Sequence, residues 1–343
     1  MSRPVHTLPK AHLHLHFTGS MRFTTLMELA QEQRVRLPHA LVEDWPPKLA
    51  ARDERGWFRF QRLYDAARAC VTSEEAMRRI VREAAEDDAA EGSRWLEIQV
   101  DPTSYAPHVG GLTPALEIVL DEARRVSVPG RIGVGVIVAA SRTRHPLDAR
   151  TLARLAARHA GDGPGDVLGF GLSNDERRGH TEEFEGAFRI ARKAGLAIVP
   201  HGGELLGPEA VRATLEVRPD RIGHGVRSVE DPALVAEIVR RGITLEVCPG
   251  SNVGLGVYAT PFEVPLRTLY EAGARIALGA DDPLLFGSRL DDQYEIARSV
   301  HGFDDAELTD LARMSIEGSR APAEVRSDAL AGIDEWLAEP TDV

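Results

Sequence analysis

Eight short β-like runs separated by helix-like stretches organise this 343-residue chain and most constrain its fold. The runs fall at 11–17, 95–100, 132–140, 167–172, 196–199, 221–223, 244–247 and 275–278. Between them lie Ala/Arg/Glu-rich segments, such as 74–91 and 180–194, with apolar residues at three- and four-residue spacing. Strands that alternate with helices predict βαβ units and a parallel sheet. Eight such units suit a closed (β/α)8 TIM barrel better than an open doubly wound sheet. The length fits one barrel domain over 1–343.

Two features are added to the plain barrel. Segment 38–68 is a long insertion after the first helix. In it Trp57, Phe58, Phe60 and Leu63 line one face of a helix, which either covers the barrel mouth or packs on the outer wall. Segments 291–300, 305–315 and 323–337 read as closing helices after the eighth strand.

Composition narrows the partners. Lys and Arg number 41 against 53 Asp and Glu, a formal charge of −12. That sign disfavours a nucleic-acid footprint. No run approaches the ~20 apolar residues of a membrane span, and the N-terminus lacks a signal-peptide core. Two cysteines, Cys70 and Cys248, exclude a disulfide scaffold and a four-cysteine zinc site. A reducing cytoplasm is the expected compartment. The oligomeric state is not legible.

The polar residues cluster at strand ends. His14 and His16 close the first run, and alternation puts both imidazoles on one face, able to offer two nitrogens to a metal. His12 extends the pattern, so a surface histidine run is the alternative. The fifth run leads into His201-Gly202-Gly203-Glu204, and the sixth ends Gly223-His224-Gly225. His201 offers a third nitrogen or is a hydrogen-bonded core histidine. Glu204 is a free carboxylate or a helix N-terminal acid. The eighth ends in Asp281-Asp282-Pro283, adjacent carboxylates that repel unless a cation or proton relieves them, or a simple turn. Together, His14, His16, His201 and Asp281 suit a single Zn²⁺ with a bound water. His224 and Glu204 are then free to move protons, which is hydrolytic chemistry. No GxGxxG follows the first strand, so dinucleotide redox chemistry is not indicated.

These residues carry a family resemblance. PKAHLHLHFTGS (9–20), SNDE (173–176), HGGE (201–204), RIGHG (221–225), LEVCPGSN (245–252) and ADDPLLF (280–286) resemble, in order and across nearly the whole chain, the motifs of the adenosine deaminase family of the amidohydrolase superfamily. The resemblance implies a barrel with one zinc per chain, held by His14, His16, His201 and Asp281. It implies that Glu204 protonates purine N1, His224 takes the proton of the attacking water, Asp282 bonds N7 and the Asn174 backbone meets N3. The substrate it implies is a small purine nucleoside. The fourth strand, VLGFGLSND, has no lysine for a two-metal site, which favours one metal.

Two positions depart from the family pattern. Thr18 stands where the family usually has an Asp for the ribose 5′-hydroxyl, and Asn174 replaces a usual Gly. Both lie at the ribose end. They point to an adenosine with a 5′ extension, and HFTGS is similar to the aminodeoxyfutalosine deaminase branch, which serves menaquinone synthesis. A carboxylate on that extension would want a guanidinium, with Arg59, Arg62, Arg68 and Arg142 as candidates. Plain adenosine, free adenine or a non-catalytic binding role are the alternatives.

Overall fold

The structure, a computed structural model, describes residues 3–47, 49 and 53–340. Residues 48 and 50–52 of the 38–68 insertion, and both ends of the expected 1–343 domain, lie outside the described residues. Eight parallel strands form one sheet in sequence order: β1 Lys10–His16, β2 Ser93–Val100, β3 Gly133–Ser141, β4 Val167–Ser173, β5 Ala197–Gly202, β6 Arg221–His224, β7 Thr244–Val247 and β8 Arg275–Leu278. The sheet closes where Leu15 bridges Asp281, giving the expected (β/α)8 TIM barrel. Because every strand is covered on both faces, β2 and β3 are almost wholly buried.

Helices follow the 3.6-residue pattern. Ser73 caps Glu74–Ala90, accepting a hydrogen bond from the Ala76 N–H at 3.2 Å. The expected helix over 180–194 begins instead as a 3₁₀ turn, Thr181–Phe184, before the α-helix Glu185–Lys193. The closing helices are Leu290–Ser299, Asp305–Gly318 and Ala323–Ala338. Among the described residues, no helix is long and apolar enough to cross a membrane.

Two local details differ from the sequence expectation and shape the site. First, β5 runs on to Gly202, so His201 sits within the strand. Second, β1 carries a bulge. His12 stands opposite Leu96 and Leu15 opposite Ile98, so three steps on β1 match two on β2. The bulge breaks the His12–His14–His16 alternation. His12 turns toward Asp88 on the helix Glu74–Ala90 while His14 and His16 turn to the central cluster, and His12 is buried, so no surface histidine run exists.

The insertion forms the helix Glu54–Arg68, N-capped by Asp53, whose side chain accepts from Gly56 N–H at 2.7 Å. Trp57, Phe60 and Leu63 are buried, and Phe60 stacks on Phe286 at a centroid distance of 6.0 Å. Phe58 departs from the expected face and is 64% exposed. Because Trp57, Gln61, Tyr64 and Arg68 line cavities at the barrel mouth, this helix is a cover rather than wall packing.

Candidate active site

The site gathers at the C-terminal ends of the strands, where parallel barrels place chemistry. His14 and His16 come from β1, His201 from β5 and His224 from the last position of β6. Asp281 and Asp282 follow β8. His16 Nε2 lies 3.2 Å from His201 Nε2 and 3.1 Å from Asp281 Oδ1. His14 Nε2 lies 3.5 Å from the same oxygen. Ligand atoms of His14, His201 and His224, and of His14, His16 and Asp281, fall within 4.8 Å of one another. The four residues expected to bind metal are therefore brought together.

The donors fit a metal ion on chemical grounds. Glu246 Oε2 lies 2.7 Å from His14 Nδ1. A carboxylate only accepts, so Nδ1 carries the proton and Nε2 faces the cluster, the usual carboxylate–histidine–metal arrangement. His14 Nε2 and both nitrogens of His224 are buried without a hydrogen-bond partner. Burial opposes charge on His14, yet Asp281 and Glu246 outweigh it and push its pKa up to about 10. The site thus favours a positive charge beside Asp281, which a metal ion supplies. Burial pushes Asp281 up, but the imidazoles of His14 and His16 beside it outweigh that and hold it well below the carboxylate range. Burial and the neighbouring His14 push His201 well down, leaving a neutral donor.

The proton-handling groups have the opposite bias. Glu204 Oε1 lies 3.6 Å from His224 Nε2. Burial, then the charges of Asp281 and Glu176, push Glu204 well above the carboxylate range and keep it protonated. Burial and His14 lower His224 to about 3, so it is a neutral base at physiological pH. Burial and Asp281 raise Asp282 in the same way, so it can donate a hydrogen bond to a ring nitrogen. Asp282 reaches its place because Gly19 is bare. A Cβ there would stand 1.8 Å from Asp282 Oδ1.

Asn174, His224 and Asp281 all adopt left-handed backbone, with φ of 81°, 65° and 62°. Non-glycine residues hold such angles only when their surroundings over-determine them. Asn174 tolerates it well, and its side-chain oxygen accepts from the Asp175 N–H at 2.7 Å. Its amide is turned back on its own backbone, yet the residue still borders the mouth.

Two adjoining cavities open from the cluster. An inner one of about 70 Å³ includes His16, His201, Glu204, His224, Asp281 and Asp282. An outer one of about 360 Å³ includes Thr18, Tyr105, Arg68, Asp101, Arg144 and Arg178. They share His16, Trp57, Gln61, Tyr64, Arg68, Ser173 and Asn174. The Thr18 hydroxyl is buried against the Tyr105 hydroxyl. Of the arginines singled out, only Arg68 borders a cavity, and its guanidinium lies 4.6 Å from the Tyr64 ring centroid. Arg59 and Arg62 face solvent. Arg142 departs from its expected role. It is buried and donates to the His201 carbonyl at 2.7 Å and the Gly179 carbonyl at 3.2 Å, and it borders neither cavity.

Several supporting residues escaped sequence reading. Arg221 donates to Glu246 Oε1 at 2.6 Å and also to Glu97, all fully or nearly fully buried. Burial pushes Glu246 up, but Arg221 and His14 outweigh it and hold it ionised. Ser251 donates to Asp281. Glu176 accepts the backbone of the loop that carries Glu204. A carboxylate buried in an otherwise apolar strand, as at Glu246 and Glu97, was the signal that could have found the first network.

The chain matches the family model described as adenosine deaminase over residues 9–336. A putative adenosine/adenine deaminase of Streptomyces coelicolor is 63% identical over 340 residues, spanning 98% of both chains. The solved adenine deaminase of Arthrobacter aurescens superposes with a TM-score of 0.87 at 27% identity, covering 98% of this chain and 100% of that one. A Burkholderia ambifaria amidohydrolase solved with bound Zn superposes with a TM-score of 0.83 at 25% identity, covering 98% and 94%. With the motifs in order, the fold matched and the model spanning nearly the whole chain, this protein belongs to the adenosine deaminase family of hydrolytic deaminases.

Proposed function

We propose that the chain is a zinc-dependent deaminase of a 6-aminopurine nucleoside extended at its 5′ side, of which 6-aminodeoxyfutalosine, a menaquinone precursor, is the leading case. The observation that carries the extension is the outer cavity of about 360 Å³, continuous in its lining with the inner one. The purine occupies the inner cavity and the 5′ substituent the outer, where Arg68 meets an acidic group.

His14, His16, His201 and Asp281 would hold one Zn²⁺, a choice that suits three nitrogens and one oxygen. Bound there, the ion supplies Lewis acidity and lowers the pKa of a water toward ~7. Glu204, protonated, donates its proton to ring N1 and draws electron density away from C6. His224, neutral, accepts the proton of the water that adds to C6. Asp282 donates to N7 and fixes the ring plane, and the Asn174 backbone N–H meets N3. Addition gives a tetrahedral carbon; the amino group takes the proton held by His224 and leaves as ammonia, the hydroxyl proton returns to Glu204, and a 6-carbonyl purine with a proton on N1 remains. The cover helix Glu54–Arg68 excludes bulk water from this exchange.

Free adenine is the second reading, favoured by the small inner cavity and by the likeness to the Arthrobacter adenine deaminase. The test is kcat/KM for adenosine, adenine, methylthioadenosine and 6-aminodeoxyfutalosine. The proposal expects the highest value for 6-aminodeoxyfutalosine. A highest value for adenosine or adenine would assign the enzyme to purine salvage instead.

A further inference from the structure

His12 borders neither cavity, yet it sits at the seam where the barrel closes. β8 ends at Leu278, and beyond it the chain crosses β1 at Asp281. There the Asp281 N–H donates to the His14 carbonyl at 3.0 Å, and the His16 N–H donates to the Asp281 carbonyl at 2.9 Å. One residue earlier, the Ala280 N–H finds no β1 carbonyl. It donates to His12 Nε2 at 3.0 Å. The same Nε2 also lies 3.1 Å from the His14 carbonyl, which can only accept, so the two contacts compete for the nitrogen. A backbone N–H can only donate, so the Ala280 bond, the shorter of the two, assigns Nε2 as the acceptor and puts the ring proton on Nδ1. Both oxygens of Asp88 lie 3.0 Å from that nitrogen. The β1 bulge is what turns the ring outward to meet Asp88 and Ala280 together.

The peptide held by His12, Gly279–Ala280, lies one residue before the Ala280–Asp281 peptide that leads into Asp281, whose φ of 62° is costly for a side-chain-bearing residue. The strands approach closely here. A Cβ at Gly279 would lie 2.7 Å from His14 Cβ. With so little room, a rotation of the Gly279–Ala280 peptide would be passed through the Ala280 Cα to Asp281 and move its carboxylate relative to His14 and His16.

We propose that His12, oriented by Asp88, is a positioning residue for the metal centre, pinning the Ala280 peptide so that Asp281 stays on the histidine cluster. The inference rests on the reading of Asp281 as a metal ligand. It extends the metal's support outward to Asp88, a residue on a helix that contributes nothing else to the site. Its chemistry is that of an outer partner acting through the backbone.

Two amide variants separate the two bonds of the imidazole. In His12→Gln an amide oxygen reaches the Nε2 position and can accept from Ala280. In His12→Asn the amide reaches only the Nδ1 position, keeping a donor for Asp88 and losing the acceptor. Zinc affinity is measured by chelator competition, with melting temperature alongside. Loss of an outer partner typically costs ~10- to 100-fold in metal affinity, so His12→Asn is expected to fall by that factor and His12→Gln to stay within about threefold of wild type. A merely structural histidine would lower the melting temperature of both and leave both affinities unchanged, which overturns the proposal. Asp88→Ala and Asp88→Asn repeat the test from the other side should His12→Asn not fold. Alanine should weaken zinc, and asparagine, whose oxygen still accepts from Nδ1–H, should restore it. Equal affinities in this pair overturn the proposal. Asp281→Ala is the control. If it binds zinc normally, the ligand reading fails on its own; if it loses zinc while all His12 and Asp88 variants keep it, only the positioning role fails.

Discussion

The carboxylate of Glu176 accepts the backbone N–H of Glu204 at 2.9 Å. The same two oxygens take the N–H groups of Gly203 at 2.6 Å, Leu205 at 2.6 Å and Leu206 at 3.1 Å. One side chain from the loop after β4 therefore fixes the whole turn that carries the proposed acid. In Glu176→Gln one oxygen becomes an amide NH₂ that faces N–H donors. A hydrogen bond to a charged group contributes about 1.5–3 kcal/mol, so the melting temperature should drop. Misplacing a catalytic group by ~1 Å can cost ~100-fold, and kcat should fall toward that factor. Zinc content, read by elemental analysis, should not change. A wild-type kcat would refute the positioning of Glu204 by Glu176.

The pH profile follows from two opposite shifts. Burial and neighbouring carboxylates raise Glu204, so its acid form persists above the usual carboxylate range and is lost only as pH rises. Burial and His14 lower His224 to about 3, so its base form persists as pH falls below the ordinary imidazole value. The kcat/KM profile should be a broad bell with its plateau across neutrality, reporting the coupled pair. Glu204→Gln should lower turnover by orders of magnitude with zinc retained, and the residual activity should lack the alkaline limb. A profile that already declines at the ordinary carboxylate pKa would contradict the role of Glu204. For stability the sign for His224 is the depressed-pKa case. Its contribution is complete above about 6.5 and is lost as pH falls toward about 3, because the unfolded imidazole takes a proton the folded one refuses.

Metal retention should depend both on the proposed ligands and on the carboxylate behind them. His201→Ala removes a nitrogen donor and should leave the purified protein with substoichiometric zinc by elemental analysis. Glu246→Gln keeps the shape but removes the charge shared by His14 and Arg221. Its zinc affinity should fall ~10- to 100-fold by chelator competition. Stability should fall as well, since breaking a buried ion pair leaves Arg221 partly uncompensated, at a cost of about 3–5 kcal/mol. Unchanged affinity would show that His14 is held in place without Glu246.

Arg68 is the discriminating arginine in the proposed substrate reading. Arg68→Met keeps much of the stem that packs beside Tyr64 and removes the charge. Charge-assisted hydrogen bonds contribute about 1.5–3 kcal/mol, so kcat/KM for 6-aminodeoxyfutalosine should fall ~10- to 100-fold. The value for adenine, which has no acidic extension, should change far less. Equal losses on both would assign Arg68 to the architecture of the cover helix.

The amino-acid sequence by itself determined the barrel, because strand and helix periodicities are local and repeat eight times along the chain. It also determined which residues meet at the cluster. His14, His16, His201 and His224 lie in the last few residues of their strands and Asp281 just beyond β8, and in a parallel barrel every C-terminal strand end lies at one mouth. What the sequence left open depended on contacts between distant segments. Glu246, Glu97 and Arg221 form a network across strands that no spacing reveals. Arg142 looked no different from Arg68 as a residue type, yet one is spent on backbone carbonyls and the other faces the cavity. His12 looked like a continuation of a histidine stripe, and a single extra residue in β1 sent it to the opposite face. Local periodicity decides which elements form. Register, bulges and the partner of each buried charge are settled only when the strands pair and the barrel closes, since desolvation makes an unpaired polar group too costly to leave where the pattern alone would put it.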